Sequence, residues 1–175
     1  MKGRSIAALL SLTLGDAALA AQLQVEVRVS VQRGCLLVSH VRDGGVESLG
    51  TLDFGSAARL DDPQGPLSAQ LSGQRLARLE CNPDTAYQLQ VDGGQHGGVG
   101  EVRYLGGPRA GTPAIPYTLY RDPARRVPLP VNQVLSGVVP STGSVELPLY
   151  GRIQHLAQVP EAGEYSDLVK VTLSW

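Results

Sequence analysis

From Leu23 to Val31 the chain alternates strictly. Leu23, Val25, Val27, Val29 and Val31 are aliphatic, while Gln24, Glu26, Arg28 and Ser30 between them are polar. A period of two puts all five aliphatic side chains on one face, the pattern of a half-buried strand. The same alternation closes the chain, where Val169, Val171, Leu173 and Trp175 are separated by Lys170, Thr172 and Ser174. A strand at a chain terminus has two fates. It can pair within its own sheet, as most do, or, being tethered at one end only, it can add to the open sheet edge of another chain.

Between these two ends no helical periodicity is present. Short alternating runs recur, separated by Gly, Pro, Asn and Asp: Cys35–His40, Leu49–Phe54, Leu67–Leu71, Arg75–Cys81, Ile115–Tyr120, Val145–Ile153 and Asp167–Trp175. Tyr87, Leu89 and Val91 share one face of a further run, and Val102 and Tyr104 one face of another. Strands at this spacing with such punctuation predict an all-β sandwich or barrel. Asn82-Pro83-Asp84 is turn chemistry. The run from Gly93 to Gly100 holds five glycines and is expected to be loop, because ordering glycine costs the most backbone entropy. The Pro- and Arg-rich stretch Arg121–Pro130 belongs in a loop or at a sheet edge.

The first residues change the compartment. Lys2 and Arg4 precede the mostly apolar stretch Ile6–Leu14, and Ala18-Leu19-Ala20 offers a small-x-small cleavage site. Residues 1–20 therefore read as a secretory signal, too short in its apolar part to span a bilayer. About 155 residues follow, enough for one domain with a sizeable core. Removing the signal moves the formal charge from −1 to −2, a near balance that argues against nucleic-acid binding.

Cys35 and Cys81 are the two cysteines. In an exported chain an even count reads first as a disulfide, with a reactive thiol or a metal pair as the alternatives. Closing such a loop stabilises a fold by about 4 kcal/mol in the chain-entropy account.

Candidate chemistry is sparse. His40, His96 and His155 lie far apart in sequence, and His96 sits in the glycine run. No G-x-S-x-G elbow or H-E-x-x-H motif occurs, and no Lys-Ser/Thr follows the glycines to make a phosphate cradle. Asp61-Asp62, beside Pro63 and Gly65, reads as a polar loop rather than as paired catalytic acids. No catalytic residue, metal or cofactor is expected.

In order and spacing, a set of segments resembles the archaic (Csu-type) chaperone–usher pilus subunits, the spore coat protein U family. They are Arg33-Gly34-Cys35, Gly50-Thr51-Leu52-Asp53-Phe54-Gly55, Leu79-Glu80-Cys81, Tyr87 to Gly94, Ile115 to Asp122, Val145 to Ile153, and Gly163-Glu164-Tyr165-Ser166-Asp167. The resemblance implies an incomplete immunoglobulin-like β-sandwich that lacks its final strand and is completed by a donated one. It divides the chain into a signal peptide at 1–20, a donor strand at 21–33 and a pilin domain at 34–175. Leu23, Val25, Val27, Val29 and Val31 would fill a neighbouring subunit's groove, and Cys35 and Cys81 would form the internal disulfide. The strand carrying Val169, Val171, Leu173 and Trp175 would line a groove edge and meet the chaperone. The implied partners are a periplasmic chaperone, an outer-membrane usher and identical or related subunits, with the periplasm as transit and a surface fimbrium as destination.

Burial of five aliphatic side chains is worth on the order of 10 kcal/mol gross. Lack of a second, receptor-binding domain argues for a shaft or adaptor subunit over a two-domain tip adhesin. Two other readings share the composition: a monomeric secreted module that binds carbohydrate, and a coat protein that assembles without a pilus.

Overall fold

The computed structural model describes residues 26–38, 41–43, 46–61, 66–72 and 77–175, and among them it contains strands and no helix. The fourteen strands are β1 (Cys35–Val38), β2 (Val41–Asp43), β3 (Val46–Ser48), β4 (Thr51–Leu52), β5 (Leu67–Ser72), β6 (Arg78–Cys81), β7 (Ala86–Val91), β8 (Gly98–Val99), β9 (Val102–Leu105), β10 (Ile115–Tyr120), β11 (Leu135–Val138), β12 (Ser144–Glu146), β13 (Tyr150–Ile153) and β14 (Val171–Ser174). Gln32–Trp175 forms one compact unit, separate from the unit that ends at Val31.

Two layers make the sandwich. One is a six-stranded sheet in the order β4-β5-β13-β10-β9-β8. The other combines β11-β7-β14 with β1-β6-β12. Its central strands β6 and β7 are separated by the turn at Asn82-Pro83-Asp84, where Asp84 takes φ +61° and the Thr85 N–H bonds back to the Asn82 carbonyl. β11 and β12 follow one side of this broken strand, and β1 and β14 lie end to end along the other. The hairpin of β2 and β3 pairs with itself.

The core follows from strand alternation. Ile115, Tyr117 and Leu119 of β10, Ile153 of β13, Val91 of β7 and Leu129 pack as one buried cluster. Phe54 meets the Tyr117 ring edge-on at 6.2 Å, a favourable arrangement for two aromatic quadrupoles.

Some sequence expectations change. The run Val145–Ile153 is two strands in different layers: Leu147 N–H bonds to Ala77 in one, while the Leu149 carbonyl accepts from Leu71 in the other. The break falls at Pro148, which has no N–H to give a ladder. Within the glycine run Gly98–Val99 is a short strand after all, because Gly100 at φ +63° turns the chain back onto β9. β11 and the β2–β3 hairpin carry too little alternation to read in advance. Val102 and Tyr104 do share a face, but it is the outward one; Arg103 occupies the inward position.

Candidate functional site

Residues 26–34 belong to no strand. Val27, Val29 and Val31 are 89%, 88% and 77% exposed, so the described part of the alternating segment holds three aliphatic side chains in water. On its polar side Arg28 Nε donates to Glu26 Oε1 at 2.5 Å. Leu23 and Val25 lie outside the described residues.

The chain becomes anchored just after this segment. Gly34 N–H donates to Asn82 Oδ1 at 2.9 Å, and the Gly34 carbonyl accepts from Asn82 N–H at 3.2 Å. Cys35 and Cys81 are directly opposed across β1 and β6 and are joined as a disulfide. The bond therefore ties the first strand of the sandwich to its central strand.

At the other end, β14 pairs with β7 along one edge, and among the described residues its second edge has no partner strand. Val169 and Val171 pack on the core cluster. Leu173, opposite Leu89, is half-buried. Trp175 continues the inward-facing row but is 57% exposed. An unpaired edge backed by incompletely covered apolar side chains is a template for another strand.

Between the layers lies a cavity of about 230 Å³ whose lining includes Leu89, Leu135, Leu147, Leu149, Tyr87 and Val171. Of the four C-terminal positions singled out by sequence, Val171 reaches this cavity. Trp175 instead borders a shallower hollow with Tyr87 and Val138.

A buried polar cluster holds the approach to β14. Arg103 is fully buried, and its guanidinium donates to the carbonyls of Asp92 at 2.7 Å, Leu129 at 2.9 Å and Val91 at 3.2 Å. It thus stitches β9 of one layer to the end of β7 in the other. Burial pulls its pKa below the ordinary value, opposed by the nearby Tyr117, Asp92 and Asp167. Tyr117 is pushed well above its usual range, first by burial and then by its hydrogen bond to Asp167. Asp92 Oδ1 accepts from the N–H groups of Gly94 and Lys170. Sequence reasoning missed Arg103, because a lone arginine between Val102 and Tyr104 looks like a solvent-facing residue.

Nothing in this cluster is arranged for catalysis. Its donors and acceptors are spent on one another, and no nucleophile stands beside a base. His155 Nε2 is 2.8 Å from the Asp61 carbonyl, Asp61 pairs with Arg59, and the His96 ring packs over Gly106. His40 and Asp62 lie outside the described residues. Among the described residues no group of three or more His, Cys, Asp or Glu side chains could hold a metal.

Comparison with known proteins adds a family. The model described as "Spore Coat Protein U domain" matches residues 21–172. No curated protein sequence matches the chain. Among solved structures, the chain is similar to one in a chaperone–tip adhesion subunit pre-assembly complex from the archaic chaperone–usher Csu pili of Acinetobacter baumannii. That match has 16% identity and a TM-score of 0.45, covering 83% of this chain and 40% of that one. A second is a chain from a chaperone–tip adhesin complex of CFA/I fimbriae biogenesis, with 13% identity, a TM-score of 0.44 and coverage of 73% and 42%. The chain spans about two fifths of the length of each.

Proposed function

Because this chain belongs to the Spore Coat Protein U domain family, we propose that it is a structural subunit of a surface fibre, polymerising by strand donation. The alternating segment Leu23–Val31 of one copy adds to the free edge of β14 in the next, and its aliphatic face covers the incompletely buried core there. The observation that carries this reading is the presence of both halves in one chain. Val27, Val29 and Val31 stand in water, and β14 offers an edge without a partner among the described residues.

Physical chemistry supports the match. A strand added to β14 satisfies main-chain groups along the edge and buries apolar side chains on one face only, which is what a period-two segment offers. Several buried valines give an interface that releases slowly. A subunit that both donates and accepts has a neighbour on each side, the position of a shaft or adaptor. Until the neighbour arrives, the open edge is an aggregation hazard. A periplasmic chaperone that lends a strand, and an usher at which the exchange occurs, are the partners this chemistry requires. They place the chain in the periplasm in transit and in a fimbrium at the end.

Val27→Asp tests the reading in the full chain, since it puts a charge in the middle of the donated face. The expected result is loss of fibres, seen by electron microscopy, with the subunit still recovered folded and bound to its chaperone. Fibres of normal length from the variant would overturn the proposal. So would loss of the folded subunit, which would show that the segment belongs to the subunit's own sheet.

A further inference from the structure

The strand whose edge is open has little of its own to keep it in shape. β14 is four residues long and is laddered along one edge only, to β7. Thr172 and Ser174 are exposed, Val171 and Leu173 are half-buried, and Trp175 beyond them is 57% exposed. By contrast β10 is laddered on both edges and buried over most of its length. A strand held by one short ladder and partial burial opens locally at low cost. Each opening removes the edge on which a donor would pair.

What restrains β14 lies just ahead of it, from Ser166 to Lys170. Ser166 and Gly106 exchange both main-chain hydrogen bonds, at 3.1 and 2.9 Å. Asp167 accepts from the Tyr117 hydroxyl with Oδ2 at 2.7 Å and from Gln95 N–H with Oδ1 at 2.8 Å. Lys170 N–H donates to Asp92 Oδ1 at 2.9 Å, and its carbonyl accepts from Asp92 N–H at 3.0 Å. The tie to Asp92 continues the ladder with β7. The tie to Tyr117 differs in kind, because β10 belongs to the opposite layer. Tyr117 is buried in the core cluster with Phe54 edge-on to its ring, so its hydroxyl is a fixed point. Asp167 takes its place from that point, and Val169 and Val171 after it meet the core in register.

We propose that Asp167, held by Tyr117, is a positioning residue for strand donation: it keeps the free edge of β14 formed before a donor arrives. The inference rests on the strand-donation reading and adds the residues that prepare the accepting edge. Such preorganisation acts on uptake, because a donor pairs only with the fraction of chains whose edge is formed. It acts little on release, since a docked donor gives β14 a second ladder and covers its apolar side.

The test is uptake of a fluorescent peptide, Gln22–Gln32, by the full chain carrying Val27→Asp, so that its own segment does not compete. Anisotropy after mixing gives the uptake rate, and a chase with unlabelled peptide gives the release rate. Asp167→Asn and Tyr117→Phe should each slow uptake by about five- to tenfold, the population lost with one hydrogen bond to a carboxylate, and leave release unchanged. Gly97→Ala is the control, because it strains the same loop while its Cβ meets nothing; it should alter neither rate. If Asp167→Asn fails to fold, Tyr117→Phe carries the test. Uptake by the variants at the parent rate, faster release in place of slower uptake, or equal slowing by Gly97→Ala would overturn the proposal and leave strand donation standing. No uptake by the parent chain would overturn strand donation, and the role of Asp167 with it.

Discussion

The Tyr117 hydroxyl donates to Asp167 Oδ2 at 2.7 Å, joining residues fifty apart in the chain. Asp167 Oδ1 accepts from Gln95 N–H at 2.8 Å, so one carboxylate ties the middle of the six-stranded sheet, the glycine-rich loop and the segment leading into β14. The position of the C-terminal strand is therefore set before β14 begins its ladder with β7.

Tyr117→Phe is expected to lower stability by about 1.5–3 kcal/mol, the worth of a hydrogen bond to a charged acceptor. Asp167→Asn should cost a similar amount. The double variant should fall short of their sum, because both changes delete one interaction. Urea unfolding of the four proteins measures the coupling, and strict additivity would show that the contact contributes nothing.

The same residue carries an alkaline sensitivity. Its phenol is held neutral in the fold well above the ordinary value of 10.0 by burial and by Asp167. Below that value both folded and unfolded chains keep the proton and the contribution is intact. Above it the unfolded chain releases the proton while the folded one retains it, so stability declines with rising pH. Unfolding free energies measured from pH 8 to 11 should show this decline, and Tyr117→Phe should reduce it.

Gly94 and Gly97 share φ +77°, so alanine at either pays the cost of a left-handed backbone. They differ in space. A Cβ at Gly94 would collide with the Asp167 carboxylate, whereas one at Gly97 meets nothing. Gly97→Ala is expected to cost about 1–2 kcal/mol. Gly94→Ala should cost clearly more and release the segment before β14, visible as faster amide exchange from Leu168 to Trp175. Equal effects of the two changes would remove Asp167 from the account.

Replacing Cys35 and Cys81 by serine opens a loop of sequence separation 46. The chain-entropy account assigns it about 4 kcal/mol. Denaturant midpoints with and without the bond test that value, and a loss below about 1 kcal/mol would mean that the β1–β6 ladder holds without it.

Attaching a second copy of Gln22–Gln32 behind Trp175 through a flexible linker should raise the unfolding temperature, by supplying the missing partner in cis. The gain should vanish when the appended copy carries the Val27→Asp change. If the appended segment leaves the unfolding temperature unchanged, the β14 edge does not accept this strand.

Much of the architecture was legible in the alternation. Ile115–Tyr120 is a strand with the predicted bounds, and the runs at Leu67 and Tyr87 are strands within one or two residues. Their side chains declare two faces whatever they pair with. The loop at Gly93–Gly97 and the Pro- and Arg-rich stretch were legible too, since their backbone preferences are local, whereas the short strand Gly98–Val99 inside the glycine run was not. Of the candidate site, the exposed valines and the C-terminal row could be named from sequence for the same reason.

By itself, then, the amino-acid sequence determined which residues share a face and where strands must break, because both depend on neighbours one or two positions away. Tertiary structure alone decided which face is inward, as at β9, where Arg103 is buried because three carbonyls from distant segments satisfy it. It alone brought Tyr117 to Asp167, left Arg152 Nε without a partner among the described residues, and placed an unpaired edge at β14. Each is a relation between segments far apart in the chain, and a period of two carries no information about which strand lies alongside.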